Sequence, residues 1–328
     1  MPFGKGCTSS RSIISGRAKT TIQPRPTAAE EGPAEPKFPI ALYENVEGRN
    51  FQPDKSGNQH HFLPCDDEEF ERLQVNYWIF RSLFGRIFFA PVQPILEKGA
   101  KVLLVGCGPG FWLREMAEAY PKSHFTGIDA IIYPISMLPK NCHVRVAVAP
   151  EGLPFKDNSF DFVVQHDMAI RYTRTQWDEA LKELVRVTKP NGYLEFVEQS
   201  YQMQDNGPNT SIWMMRLTVS LQTRNIMMKI APQLHDMLQE TGLVTDIEYS
   251  HRSLPVGWLG KLGDVALDAM ERLFDSMKPR LCEDWSMTKE KYDKMMQTAT
   301  KECREFQSWT NIHYIYGRKF DSGNPASK

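Results

Sequence analysis

Residues 101 to 110 read Lys-Val-Leu-Leu-Val-Gly-Cys-Gly-Pro-Gly, an apolar run that fits one short buried strand and then breaks into three glycines at alternate positions. Such a turn lets backbone approach a ligand with no Cβ in the way, and Gly106, Gly108 and Gly110 supply it. The spacing is G-x-G-x-G. In the dinucleotide fingerprint a third glycine stands three residues after the second and permits close packing over a pyrophosphate. That position is Phe111 here, which points away from NAD or FAD and toward a ligand without a diphosphate.

The surrounding pattern constrains the fold. Strand-like segments at 101–105, 124–128, 143–148, 160–164 and 192–198 are separated by helix-like ones at 111–120 and 175–187. Strands joined through helices imply right-handed crossovers and an α/β, doubly wound, mostly parallel sheet with helices on both faces. Residues 208–240 are rich in Met, Leu and Ile with almost no strand signal, and read as two helices inserted late in the chain, an insertion of about 205–240. A strand at 243–251, helices at 259–278 and 288–306, and an alternating strand at 309–317 bring the sheet to seven strands. Ahead of the glycine turn, Asp66-Asp67-Glu68-Glu69 places acids at the positive end of a helix running to about Phe84. Phe70, Leu73, Tyr77, Phe80, Leu83 and Phe84 give that helix an apolar stripe needing a partner surface. The expected organisation is a disordered tail at 1–38, a leader and lid helix at 39–98, one α/β domain at 99–320 and a short tail at 321–328.

Asp129 ends the second strand about twenty residues after the turn, where a carboxylate can accept both hydrogens of a ribose diol. The chain has 328 residues, is 41% hydrophobic and 24% charged, and carries a formal net charge of −1, so nothing in its charge favours nucleic acid or an anionic membrane as partner. No run approaches the ~18 apolar residues of a membrane-spanning helix. The six cysteines show no C-x-x-C pair, which suggests reduced thiols and a cytoplasmic protein, with the nucleus second and an organelle third, and no metal site is expected.

Leu103 through Gly110, Gly127-Ile128-Asp129, Glu151 to Phe155, Asp157 to Asp161 and Leu184 to Leu194 resemble, in order, the successive motifs of class I S-adenosylmethionine-dependent methyltransferases. Gly48 to Gln52 and Asp67 to Gly85 are similar to the leader and lid of a fungal-type branch of that family. The resemblance implies a Rossmann-like fold, S-adenosyl-L-methionine as cofactor and methyl transfer as activity. It places Gly106, Cys107, Gly108 and Gly110 against the methionine and ribose, Asp129 on the ribose hydroxyls, Ala130 beside the adenine, Ala149, Pro150 and Glu151 around the adenine, and Gln165 facing the methyl. His166 and Asp167 are the candidate bases, while Tyr43, Tyr77 and Trp78 are candidates to close over a substrate.

Two positions depart from the family pattern. Leu104 stands where an acid usually helps hold the cofactor's ammonium, and Ala149 stands near the usual adenine-binding Asp or Asn. The leading expectation is a methyltransferase acting on a small-molecule acceptor held between the lid helix and the helical insertion, with the 208–240 helices available for an oligomer contact. The competing one is a degenerate relative, binding cofactor weakly or not at all, that serves as a partner or regulatory subunit. A third, methylation of a protein side chain, lacks any recognition signature in the sequence.

Overall fold

The β-rich centre of the chain assembles around the apolar strand Lys101–Val105. In a computed structural model describing residues 44–52, 62–131 and 138–321, that strand lies between two parallel neighbours. A short antiparallel hairpin, β1 (Glu44–Val46) and β2 (Arg49–Phe51), precedes helix α1 (Asp67–Phe84) and helix α2 (Gln93–Lys98). Then follow β3 (Lys101–Val105), α3 (Phe111–Ala119), β4 (His124–Asp129), β5 (Cys142–Val146), β6 (Phe160–His166), α4 (Arg174–Val187) and β7 (Thr188–Gln204). The chain continues through α5 (Pro208–Gln222), α6 (Leu234–Glu240), β8 (Val244–Pro255), α7 (Lys261–Asp284), α8 (Lys289–Glu305) and β9 (Trp309–Lys319). The expected tail at 1–38 lies outside the described residues.

The seven-stranded sheet has the order β5-β4-β3-β6-β7-β9-β8, parallel from β5 to β7, with β9 antiparallel to both of its neighbours. This is the Rossmann-like, doubly wound architecture. Strand order reverses between β3 and β6, and it is outside the carboxyl ends of strands at such a point that open α/β sheets bind ligands. The glycine turn leaves β3 there.

One sheet face packs against α4, α5 and α6 through Leu103, Val163, Trp177, Leu184 and Leu238; the other packs against α2 and α3 through Val102, Leu104, Leu113 and Phe162. Each such large side chain contributes about 1.5–3 kcal/mol by leaving water.

Three elements differ from their sequence reading. The leader, in which the sequence reading places no strand, contains the β1–β2 hairpin. Strand β7 runs to Gln204 because β9 pairs beside it as far as Trp309. Helix α7 continues through Pro279 to Asp284, since Met277 and Leu281 are fully buried and Arg280 is anchored on Glu44 at 2.8 Å and over the Phe51 ring. Those contacts outweigh the backbone hydrogen bond a proline forfeits.

Candidate functional site

At the end of β3 the backbone turns through Gly106, Gly108 and Gly110, with φ of +68°, +47° and +76°. A Cβ on Gly106 would run into the sulfur of Met168, so this position needs glycine for space as well as for φ. The Cys107 N–H donates to the Ile128 carbonyl at 2.9 Å, stitching the turn to the end of β4. The Gly108 N–H donates to Asp129 Oδ2 at 2.8 Å, and the Ile131 N–H to Oδ1 at 3.4 Å. Burial pushes the Asp129 carboxyl above its ordinary range, and the Gly108 N–H opposes that rise. Ala130 follows, half-buried. Beyond β5, Ala149, Pro150 and Glu151 form one turn of 3-10 helix, in which Ala149 is fully buried, Pro150 half-buried and Glu151 exposed.

The ends of β6 and β7 carry a polar cluster. Asp167, at φ +52°, accepts from Asn76 Nδ2 at 2.6 Å and from the Tyr201 hydroxyl at 2.7 Å. Glu198 accepts the Met168 and Ala169 N–H groups at 2.7 and 2.8 Å, and a longer bond from Gln165 at 3.4 Å. Gln165 is itself fully buried, and its Oε1 has no partner among the described residues. Burial raises both the Asp167 and Glu198 carboxyls. His166 sits edge-on to the Trp112 ring with its Nε2 enclosed and unpartnered, and burial lowers it to about 3. It is therefore a neutral, weakly basic imidazole.

Helix α1 covers this region. Its apolar stripe does find partners: Leu73 lies over Gly108, and Phe70 and Tyr77 meet Phe111. The deepest face is a different one. Glu69, Arg72, Asn76 and Ile79 are its buried residues, three of them polar. Arg72 Nε and Nη2 donate to the two Glu69 oxygens at 2.8 Å, and Arg171 donates to Glu69 at 2.7 Å. The two guanidinium groups hold the Glu69 carboxyl below its ordinary range against the effect of its burial. Tyr77 and Arg81 tie α1 to Glu115 of α3. Trp78 faces solvent, 52% exposed, and Tyr43 lies outside the described residues. Between α1, β7, α5 and α7 runs a cavity lined by Arg72, Asn76, Gln199 and Tyr201 and otherwise mostly by apolar side chains such as Met214 and Phe274.

Residues 102–192 match the family described as a methyltransferase domain. The chain carries a methyltransferase domain. Among curated relatives, it is 26% identical over 163 residues to a "Secondary metabolism regulator laeA" of Coprinopsis cinerea, covering 48% of this chain and 40% of that protein. It is 32% identical over 169 residues to a "Protein-methionine methyltransferase laeA" of Emericella nidulans, covering 49% and 44%. The chain thus spans less than half the length of either. A crystal structure of a putative sarcosine dimethylglycine methyltransferase from Galdieria sulphuraria aligns at a TM-score of 0.44 and 18% identity, covering 81% of this chain and 95% of that one.

The motifs of this domain imply S-adenosylmethionine as its cofactor, and the residues at the glycine turn fit that group. Among the described residues only the side chain of Leu73 approaches the Cβ position of Gly108, at 3.7 Å, and Asp129 Oδ1, with a long bond from the Ile131 N–H at 3.4 Å, could accept from a ribose hydroxyl. Two other positions are apolar: Leu104 packs into the α2–α3 core and Ala149 into the opposite one, so neither side chain offers a hydrogen bond there. The structure gathers Gly106, Cys107, Gly108, Gly110 and Asp129 at one place and His166 and Asp167 beside it, with Gln165 beneath. Sequence reasoning overlooked Glu69, Arg72, Tyr201 and Glu198. Charged residues at 69 and 72, one helical turn apart, were the available signal, hidden because the apolar stripe next to them drew the face assignment.

Proposed function

We propose that this chain is an S-adenosylmethionine-dependent methyltransferase whose acceptor is a small molecule held in the cavity beneath α1. What carries this reading is the adjacency of two sites: Asp167, the residue before Met168, whose sulfur rests on Gly106, is hydrogen-bonded to Asn76 and Tyr201, both of which line the cavity. S-adenosylmethionine supplies an electrophilic methyl group on a sulfonium. Asp129 would accept hydrogen bonds from the ribose, and the glycine turn would admit the ligand close to backbone. Helix α1 excludes water, and positioning provides much of the rate of such an in-line displacement. A base is needed only when the acceptor arrives protonated. His166, enclosed and lowered to about 3, is poorly suited to that task. The names of the relatives point to regulation and to a protein methionine; the small-molecule reading rests instead on the mostly apolar cavity beneath α1.

The observation favouring a non-catalytic partner role is the apolar character of Leu104 and Ala149. At ~0.5–1.5 kcal/mol per lost hydrogen bond, and more for a charged one, the two together weaken cofactor binding by roughly tenfold to a few hundredfold. Calorimetric titration with S-adenosylhomocysteine separates the readings. Heat saturating at or below millimolar ligand is expected, and no heat in that range makes the partner role the better account.

A further inference from the structure

The cavity beneath α1 combines an apolar lining with a guanidinium whose donors are incompletely used. Arg72 gives Nε and Nη2 to Glu69, and its Nη1 has no partner among the described residues; the Gln199 side-chain amide, also on the lining, has none either. Asn76, one helical turn past Arg72, and Tyr201, two residues past Gln199 on β7, bring the polar lining together beside Asp167. The rest, including Ile79, Met214, Leu217, Leu273 and Phe274, is apolar. Neither group is sealed off by its neighbours, and each lies on the lining among mostly apolar side chains, so the cavity is complementary to a ligand bringing an acceptor oxygen on an apolar body.

We propose that the cavity binds an apolar carboxylic acid, its carboxylate on Arg72 Nη1 and Gln199 and its hydrocarbon part along Met214, Leu217 and Phe274. Charge supports an anion over a cation. Arg72 puts a permanent cation on the lining, and of the carboxylates that act on it Asp167 is raised by burial toward its neutral form. The chemistry, though not the binding, rests on the methyltransferase reading. A carboxylate arrives deprotonated, so one of its oxygens takes the methyl as the carbon–sulfur bond breaks and the electron pair stays on sulfur. A methyl ester and a neutral thioether result and no proton moves, which suits a site whose histidine is a weak base.

The test is calorimetric titration of the full chain with dodecanoate, 1-dodecanol and dodecylamine, below their aggregation concentrations, alongside S-adenosylhomocysteine. Dodecanoate is expected to bind at least about tenfold more tightly than either other probe, the margin of one charge-assisted hydrogen bond. Ala269→Phe, which fills the cavity from α7, should abolish binding of all three. Because Arg72→Leu alone would strand Glu69, the paired variant Glu69→Met with Arg72→Met is used; it should keep dodecanol binding and lose the preference for the acid. Equal affinity for the three probes, no binding of dodecanoate, or unaltered binding in Ala269→Phe overturns the proposal. Dodecanoate binding without S-adenosylhomocysteine binding overturns the methyl-transfer reading and leaves the acid site standing.

Discussion

Asp129 gives one carboxyl oxygen to its own fold and, in the proposed function, the other to a ligand. Oδ2 receives the Gly108 N–H, which holds the turn against β4, while Oδ1 has a long bond from the Ile131 N–H. Asp129→Ala is expected to lower affinity for S-adenosylhomocysteine at least about tenfold by calorimetry; equal affinity would place the ribose elsewhere. Gly106→Ala should be worse tolerated, because the new methyl both strains φ at +68° and meets the Met168 sulfur. Its expected effect is loss of binding with a fall in melting temperature, and Met168→Ala in the same chain should restore part of the stability. These residues were legible because glycine spacing and a strand-terminal acid are local patterns. Arg72 and Tyr201 were not, since their meaning arises from Glu69 and Asp167, the latter 95 and 34 positions away in sequence.

Helix α1 shows how an element can be read correctly in extent and wrongly in orientation. The acid-rich start, with Asp66 accepting from the Glu69 N–H, and the left-handed Gly85 at its end put its limits where the sequence suggests. Its apolar stripe then pointed to a single buried face, yet the helix lies in a groove. Phe70, Leu73 and Tyr77 meet the turn and α3 on one side, Phe80, Leu83 and Phe84 meet other neighbours, and the Glu69–Arg72–Asn76 face is deepest. No periodicity of hydrophobic residues announces a buried polar face. Removing the charge of Glu69 leaves two guanidinium groups uncompensated, one of them fully enclosed, so Glu69→Gln should destabilise the fold by about 3–5 kcal/mol in urea titration. Glu115→Ala, which releases Tyr77 and Arg81 from α3 at a half-exposed site, should change global stability little and instead raise amide exchange along α1.

Across the whole molecule, buried ionisable groups pull stability in opposite directions with pH. His166 and His313 are lowered by burial to about 3 and about 4, so each contributes stability that is complete above its unfolded value near 6.5 and lost as pH falls toward those numbers. Glu195 is raised to about 7, with Oε2 holding the Phe89 and Ala90 N–H groups and Oε1 unpartnered. Its folded state retains a proton the unfolded chain has released, so its contribution is greatest below about pH 4.5 and declines as pH rises to 7. The stability of Glu195→Gln relative to the parent should therefore improve by about 1.4 kcal/mol per pH unit across that window, measured by urea titration at several pH values. A flat difference would show that Glu195 does not titrate there. At this scale the sheet order was legible, because alternating strands and helices admit few topologies. The electrostatics were not, as they depend on which carboxyls the packing encloses.

Helix α1 lies over the glycine turn through Leu73 and over the cavity through Arg72, Asn76 and Ile79. One helix thus borders both sites, so a displacement of α1 would open both at once. For the proposed transfer, release of the two products would then share one rate constant, and a slow hinge at this helix would set turnover however fast the bond-making step becomes.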